Sequence, residues 1–223
     1  MGQRTTLVLA PPTGIGSVVA ERLRSRDDTV LTLDPAIDVT DAAAVGAALA
    51  PSAPIDVAVL AWIDPVAFES RPAVSLTEDD WDEMCERTIR ASFVLLQQVH
   101  AVVRDGGRVV LVLPTVAATG VAGLVPLCTA VEAVRVMAKA VARRWGVRGV
   151  TVNTIEVEIG PYLRGDAPVD DSVPHVPVLG QPSLGERSAV DDVVALVDLL
   201  ATPGADALTG ALLVADRGTV MQP

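Results

Sequence analysis

Apolar runs of strand length alternate with segments of helical period along the whole of this chain, and that alternation leaves few folds open to it. Strands are expected at 5–10 (TTLVLA), 29–34 (TVLTLD), 56–62 (DVAVLAW), 107–113 (GRVVLVL), 149–157 (GVTVNTIEV) and 211–216 (ALLVAD). Helices are expected between them at 15–26, 41–49, 78–104, 125–145 and 190–201. Strands this continuously apolar lack the in-and-out alternation of a half-exposed sheet, so they belong to a parallel sheet covered on both faces. The predicted class is α/β: a doubly wound parallel sheet with helices on both faces, in a single domain over 1–223. Helix starts carry caps. In SLTEDDW, Thr77 stands at the N-cap and Asp80 three residues on.

Half of the 223 residues are apolar, enough for the core of one domain. The formal net charge of -11 opposes non-specific association with nucleic acid or an anionic membrane, so neither is expected as a partner. Pro, Gly or Arg interrupts each apolar run well short of the roughly 20 residues that span a bilayer. The start, MGQRTTLVLAPPTG, enters the first strand without a separate apolar segment and cleavage site, so no secretory leader is read and a cytoplasmic location is expected. Cys85 and Cys128 lack metal-ligand spacing and imply no disulfide framework. Residues 160–187 are rich in Pro, Gly and Asp and have no period, the mark of a lid or substrate loop.

In an open doubly wound sheet, ligands bind beyond the carboxyl ends of the strands. The first such end lies in LVLAPPTGIGSVVAERL, residues 7–23. A phosphate-cradling turn needs glycines for close backbone approach and free N–H groups at the following helix start. Pro11 and Pro12 each remove a donor, while Gly14 and Gly16 leave the helix start open to an anion. The residues therefore read two ways, as a weakened phosphate turn or as a tight turn without a ligand. Asp34, eighteen residues past Gly16, stands where a carboxylate can accept from a ribose diol, which favours a dinucleotide without a 2'-phosphate; the other reading is a solvated strand-end carboxylate. There is no room for a helix between Asp34 and Asp38.

In their order and spacing, these segments resemble the short-chain dehydrogenase/reductase superfamily over essentially the whole chain. The resemblance is carried by TLVLAPPTGIG, DVTD (38–41), IDVAVLAW, EDDWDEM, GGRVVLVLPTVA, RGVTVNTI and DVVALVDLLATPGADALTGALLVADRG. It implies a Rossmann-like fold and a NAD site built from Thr13, Gly14, Ile15 and Gly16 in the turn, Asp34, and Asp38 with Val39 on the adenine side. It also implies a Ser, Tyr and Lys set with an Asn from the long helix: the Tyr exchanges the proton, the Lys lowers its pKa, and the Ser positions a carbonyl. Position by position, the serine falls on Pro114, the tyrosine on Leu127, the lysine on Val131 and the asparagine on Thr88. The chain has one tyrosine, Tyr162, and one lysine, Lys139, so no alignment restores a Tyr four residues ahead of a Lys. The family's first turn glycine is Ala10, its Asn-rich Ala-Gly motif reads Leu60-Ala61-Trp62-Ile63, and its Pro-Gly reads Val157-Glu158.

NAD binding is accordingly expected to be weakened or lost, with no other cofactor and no metal. The candidates left for chemistry are Thr115, next to the serine position, Glu158 and Tyr162, with His175 in the lid. Glu156 and Glu158, two apart on a strand, are expected to point to one face, where a dry pocket would raise one pKa. Helices 78–104 and 125–145 are unusually apolar, and in the family they form a four-helix interface. A homo- or hetero-oligomer through them is expected, with an active relative as one candidate subunit. The expected function is a pseudo-oxidoreductase serving as scaffold or non-catalytic partner of an active relative. Two alternatives stand beside it: an atypical NAD-dependent oxidoreductase with substitute acid/base groups, and a non-redox lyase, isomerase or cyclase reusing the cleft.

Overall fold

Six strands form one parallel sheet in the order β2-β1-β3-β4-β5-β6, in a computed structural model that describes residues 3–26, 28–166, 183–184 and 188–220. The strands are β1 (Thr5–Leu9), β2 (Thr29–Thr32), β3 (Ile55–Leu60), β4 (Val103–Pro114), β5 (Thr151–Val157) and β6 (Leu212–Val214), every neighbouring pair parallel. The chain runs outward from β1 to β2, then returns past β1 to β3. That reversal puts the switch point between the carboxyl ends of β1 and β3, where this architecture opens a crevice.

The helices are α1 (Ile15–Arg24), α2 (Ala42–Leu49), α3 (Glu78–Trp81), α4 (Arg87–Val102), α5 (Val125–Trp145), α6 (Ile159–Arg164) and α7 (Ala189–Leu200). α1 packs with α7, α2 with α4 and α4 with α5, so a helical layer covers each face of the sheet. This explains why the strands read as unbroken apolar runs: all seven residues of β5 are buried.

Several boundaries differ from expectation for physical reasons. The expected helix over 78–104 is interrupted by a π turn at Asp82–Glu86, which joins α3 to α4 and adds a residue to the local winding. Its start carries the expected capping box: Asp80 N–H donates to Thr77 Oγ1, and the Asp80 carboxylate accepts from Thr77 N–H. Asp41 lies outside α2 and caps it, accepting from Ala43 and Ala44 N–H. β4 starts at Val103, earlier than expected, because its register slips between the Ile55–Val103 and Val57–Arg108 pairs and absorbs the intervening residues. Between β2 and α2 there is indeed no helix. Asp34 closes one tight turn by accepting from Ala36 N–H at 2.9 Å, Asp38 closes the next, and β2 is left as a sheet edge.

The beginning of the expected 160–187 lid is corrected: it is helical, and α6 lies against α1 and β4. Residues 167–182 and 185–187 of that segment lie outside the described residues, His175 among them.

The closest seam between the layers is at Gly16. A Cβ there would come within 2.3 Å of Ala10 Cβ and 3.0 Å of Ala61 Cβ, which lie just beyond β1 and β3. Gly16→Ala is expected to gain about 1 kcal/mol of helix propensity and to lose more from overpacking, a net loss of roughly 2 kcal/mol. Urea unfolding checks this: the midpoint should fall at an unchanged slope, and an unchanged or higher midpoint would show that the seam has slack.

Candidate functional site

The first turn of α1 faces the crevice. Its N-cap, Gly14, has φ 84° and supplies no side chain to cap the helix, so the leading N–H groups are left without the usual side-chain acceptor. This is the geometry of an anion cradle. The space that the missing Cβ leaves is taken, however. A Cβ on Gly14 would lie 2.7 Å from the carbonyl oxygen of Tyr162 and 3.1 Å from that of Leu163, both in the last turn of α6. Gly165, at φ 61°, ends α6 with its backbone pressed on Val18 of α1. Carbonyl oxygens of the chain itself thus crowd the Cβ side of Gly14, which only glycine fits, while among the described residues no backbone acceptor stands opposite the N–H groups of Ile15, Gly16 and Ser17.

The adenine-side residues are tied to one another. Asp38 accepts from Thr40 N–H at 3.0 Å, from Thr40 Oγ1 at 2.8 Å and from Arg87 at 3.3 Å. The Thr40 bonds first, and then Arg87, hold its carboxyl below the ordinary aspartate value. Arg87 also reaches Asp64 at 2.7 Å, bridging the two carboxylates. Asp64 caps the turn Pro65–Phe68, and its N–H donates to Thr88 Oγ1 at 3.1 Å. Thr88, where the resemblance places the family's asparagine, is buried and accepts from a backbone N–H. Sequence reasoning missed Arg87; its signal was a cation immediately ahead of that asparagine position. Val39 and Ile15 are buried, whereas Thr13 and Asp34 are exposed.

Where the resemblance places the family's Tyr and Lys, the side chains are sealed. Leu127 and Val131, on one stripe of α5, are each 0 % exposed, and Thr115 is buried beyond β4. One turn past Val131 on the same stripe stands Arg135, paired with Glu156 of β5 and with Glu132 at 3.0 Å. Glu156 is 0 % exposed; its Oε2 and Arg135 Nε have no partner among the described residues. Burial pushes the Glu156 carboxyl above the ordinary glutamate value, and Arg135 opposes that rise. The expectation that Glu156 and Glu158 serve one pocket is corrected, since Glu158 is only partly buried and accepts from Thr219 Oγ1 beyond β6.

Tyr162 is 5 % exposed, its ring 5.8 Å from that of Phe68, and its hydroxyl has no partner among the described residues. Burial drives its pKa well above the usual phenol value, so the group stays neutral. The Trp62 indole is half-buried at the end of β3 with its Nε1–H also unpartnered among the described residues. A separate groove of about 320 Å³ opens at the amino ends of the strands, lined by Arg4, Asp56, Arg104 and Arg108. Its arginines are each engaged by aspartates, which makes it a belt of ion pairs far from the crevice. Among the described residues, no helix is long and apolar enough to cross a membrane, and no three His, Cys, Asp or Glu side chains are grouped to hold a metal ion.

The buried pair yields a pH prediction. Because the folded pKa of Glu156 is raised, its contribution favours the folded state at low pH and is lost as pH rises through the raised value. Removing Arg135 takes away the group that restrains this rise. Arg135→Met is expected to cost about 3–5 kcal/mol near pH 8 and progressively less as the pH falls and the carboxyl takes up a proton. Denaturant melts across this range check it, and an equal loss throughout would refute the pairing.

Comparison with known proteins agrees with the geometry of the scaffold. A family model described as enoyl-(acyl carrier protein) reductase matches residues 17–220, beginning immediately beyond the glycine turn. D-threitol dehydrogenase of Mycolicibacterium smegmatis is 31% identical over 196 residues, 82% of this chain and 71% of that protein. Among solved structures, a dehydrogenase/reductase from Sinorhizobium meliloti has a TM-score of 0.78 at 23% identity, over 98% of this chain and 96% of the other. A blue fluorescent protein from a metagenomic library, in complex with NADPH, has a TM-score of 0.77 at 24% identity, over 98% of both chains. With six parallel strands in this order and a family match over nearly its full length, the chain belongs to the short-chain dehydrogenase/reductase superfamily.

Proposed function

We propose that this protein is a pseudo-oxidoreductase of the superfamily, with NAD binding weakened or lost, acting as scaffold or non-catalytic partner of an active relative. The observation that carries the reading is the pair Leu127 and Val131, fully buried where the family resemblance places a phenol and an ammonium. Reducing a carbonyl requires a proton donor within hydrogen-bond reach of the nascent alkoxide and with a pKa near the working pH. Leu127 has no proton to give. Lys139 is exposed, two turns further along α5, and cannot lower the pKa of a group in the crevice. Tyr162 is buried with a raised pKa, and Glu158 is engaged by Thr219. Thr115 has no base bonded to it among the described residues.

A scaffold needs a surface, and the outer helices supply one. Phe93 on α4 is 50% exposed, and Val125 and Val136 on α5 are 40% and 62% exposed. Large apolar groups on two adjacent helices favour association with a matching pair of helices, in a second copy or in an active subunit.

A second reading, an atypical NAD-dependent oxidoreductase, draws support from the NADPH-bound neighbour and from the relative named for D-threitol. On that reading Thr115, Glu158 and Tyr162 would replace the lost relay. Thermal shift and turnover separate the two. With NAD or NADP at about 1 mM, the expected rise in melting temperature is under about 1 °C. Oxidation of D-threitol and of simple alcohols is expected to stay at the uncatalysed rate. Steady turnover abolished by Glu158→Gln would establish the second reading instead. For the surface, Phe93→Glu combined with Val136→Glu is expected to shift native mass from oligomer towards monomer; a monomeric parent would refute the interface.

A further inference from the structure

We propose that the groove at the amino ends of the strands is a second binding site, built for a small oxyanion that carries more than one negative charge, a phosphomonoester or a polycarboxylate. It lies at the opposite end of the sheet from the crevice and does not rest on the pseudo-oxidoreductase reading.

The charge of the walls is the first support. Three guanidiniums, those of Arg4, Arg104 and Arg108, line a space of about 320 Å³ with one carboxylate, that of Asp56. This volume is at the lower end of the roughly 300–1,000 Å³ of small-molecule sites, so it suits a compact ligand and not a dinucleotide. Asp56 is fixed in the sheet: one oxygen accepts from Thr5 N–H at 2.8 Å and the other from Arg104 Nε at 2.5 Å. The buried Asp28 holds Arg4 through Nε at 2.9 Å. Two further carboxylates stand nearer to solvent. Asp198, partly exposed, meets Arg4 Nη2 at 2.7 Å, and Asp206, largely exposed, meets Arg108 Nη2. Ion pairs this open to water hold weakly, so a doubly charged ligand can take the place of such a carboxylate.

The second support is the set of donors that these pairs leave over. A guanidinium carries five N–H donors in a planar fork that matches the oxygens of phosphate or carboxylate. Arg104 bonds to Asp56 through Nε and to the Asp105 carbonyl through Nη1, and its Nη2 has no partner among the described residues. Arg4 bonds through Nε and Nη2, which leaves Nη1 in the same position. Arg108 bonds through Nη1 to the Gly106 carbonyl and through Nη2 to Asp206, while its Nε–H is buried without a partner among the described residues. Buried donors left unpaired are uncommon in folded chains.

The third support is the backbone that presents the arginines. β4 advances from Val103 to Arg108 while its neighbour β3 advances from Ile55 to Val57, so Arg104 and Arg108 reach the groove from the two ends of one bulge. Arg148 pins that bulge: its Nε donates to Asp105 at 2.7 Å and its Nη2 to the Val103 carbonyl at 2.6 Å. The carboxylate within the bulge is thereby paired with Arg148. Gly107 is required there, since a Cβ would come within 2.5 Å of Val103 Cγ2. The cations are therefore held on a rigid strand entry, which lowers the ordering cost of binding.

The experiment is calorimetric titration of the full chain with inorganic phosphate and, separately, with citrate, each against sodium chloride at matched ionic strength. Saturable binding of at least one is expected; phosphate alone assigns the site to phosphomonoesters, and citrate alone to polycarboxylates. Arg104→Gln, at a half-exposed side chain, is expected to weaken binding at least about tenfold through the loss of a charge-assisted bond. Asp206→Asn removes the carboxylate that competes for Arg108 and is expected to tighten binding about two- to fivefold. Arg87→Gln, at the other end of the sheet, should leave it unchanged. Heats no larger than those of chloride, or binding indifferent to both Arg104→Gln and Asp206→Asn, would overturn the site.

Hydrogen exchange on the wild type reads the same site without any variant. With saturating phosphate or citrate, the amides of residues 104–108 should exchange more slowly, and those of residues 15–18 should not change. Protection confined to residues 15–18 would overturn the site, because the anion would then sit at the start of α1.

Discussion

The contact of Gly16 with Ala10 and Ala61 is the constraint on which the rest of the molecule depends. It lets α1 lie against the ends of β1 and β3 without a side chain between them. The start of α1 is thereby brought to the switch point of the sheet, the one place in a doubly wound fold where a helix end, two strand ends and a crevice coincide. Everything described at the crevice follows from that approach: Gly14 opens toward it, and α6 can reach Gly14 only because α1 stands so close to the sheet.

The stripe of α5 that faces the sheet is interior along its length. Leu127 and Val131 fill the cleft end of the stripe with apolar volume, and Arg135 continues it with a guanidinium that neutralises Glu156 of β5. A charge pair in a core seldom adds stability over apolar residues of the same size, but once present each partner is expensive to strip away. The pair therefore ties α5 to β5 at one fixed point in the core.

On the adenine side, the same substitution of internal for external partners recurs. Arg87 spans Asp38 and Asp64, and Asp34 closes its own turn through Ala36. Asp38 and Asp64 are thus engaged by the chain itself, while Asp34 stays exposed with a single backbone bond.

Much of this was legible in the residues. Strand and helix identity followed from periodicity, because burial on both faces of a parallel sheet leaves no alternation to misread. The cap at Thr77 followed from the chemistry of helix starts. The absence of a helix between Asp34 and Asp38 followed from chain length alone. So did the absence of a Tyr four residues ahead of a Lys, since the chain's one lysine precedes its one tyrosine. What the linear order could not reveal was which groups find each other across it. The meetings of Glu156 with Arg135, of Arg87 with two aspartates and of the α6 carbonyls with Gly14 join residues 21 to 149 positions apart. Composition and local pattern determine the elements, because backbone hydrogen bonding and burial act over a few residues. Only the packing of those elements decided that the end of α6 lies against the start of α1, because that depends on how near two helix ends come in space.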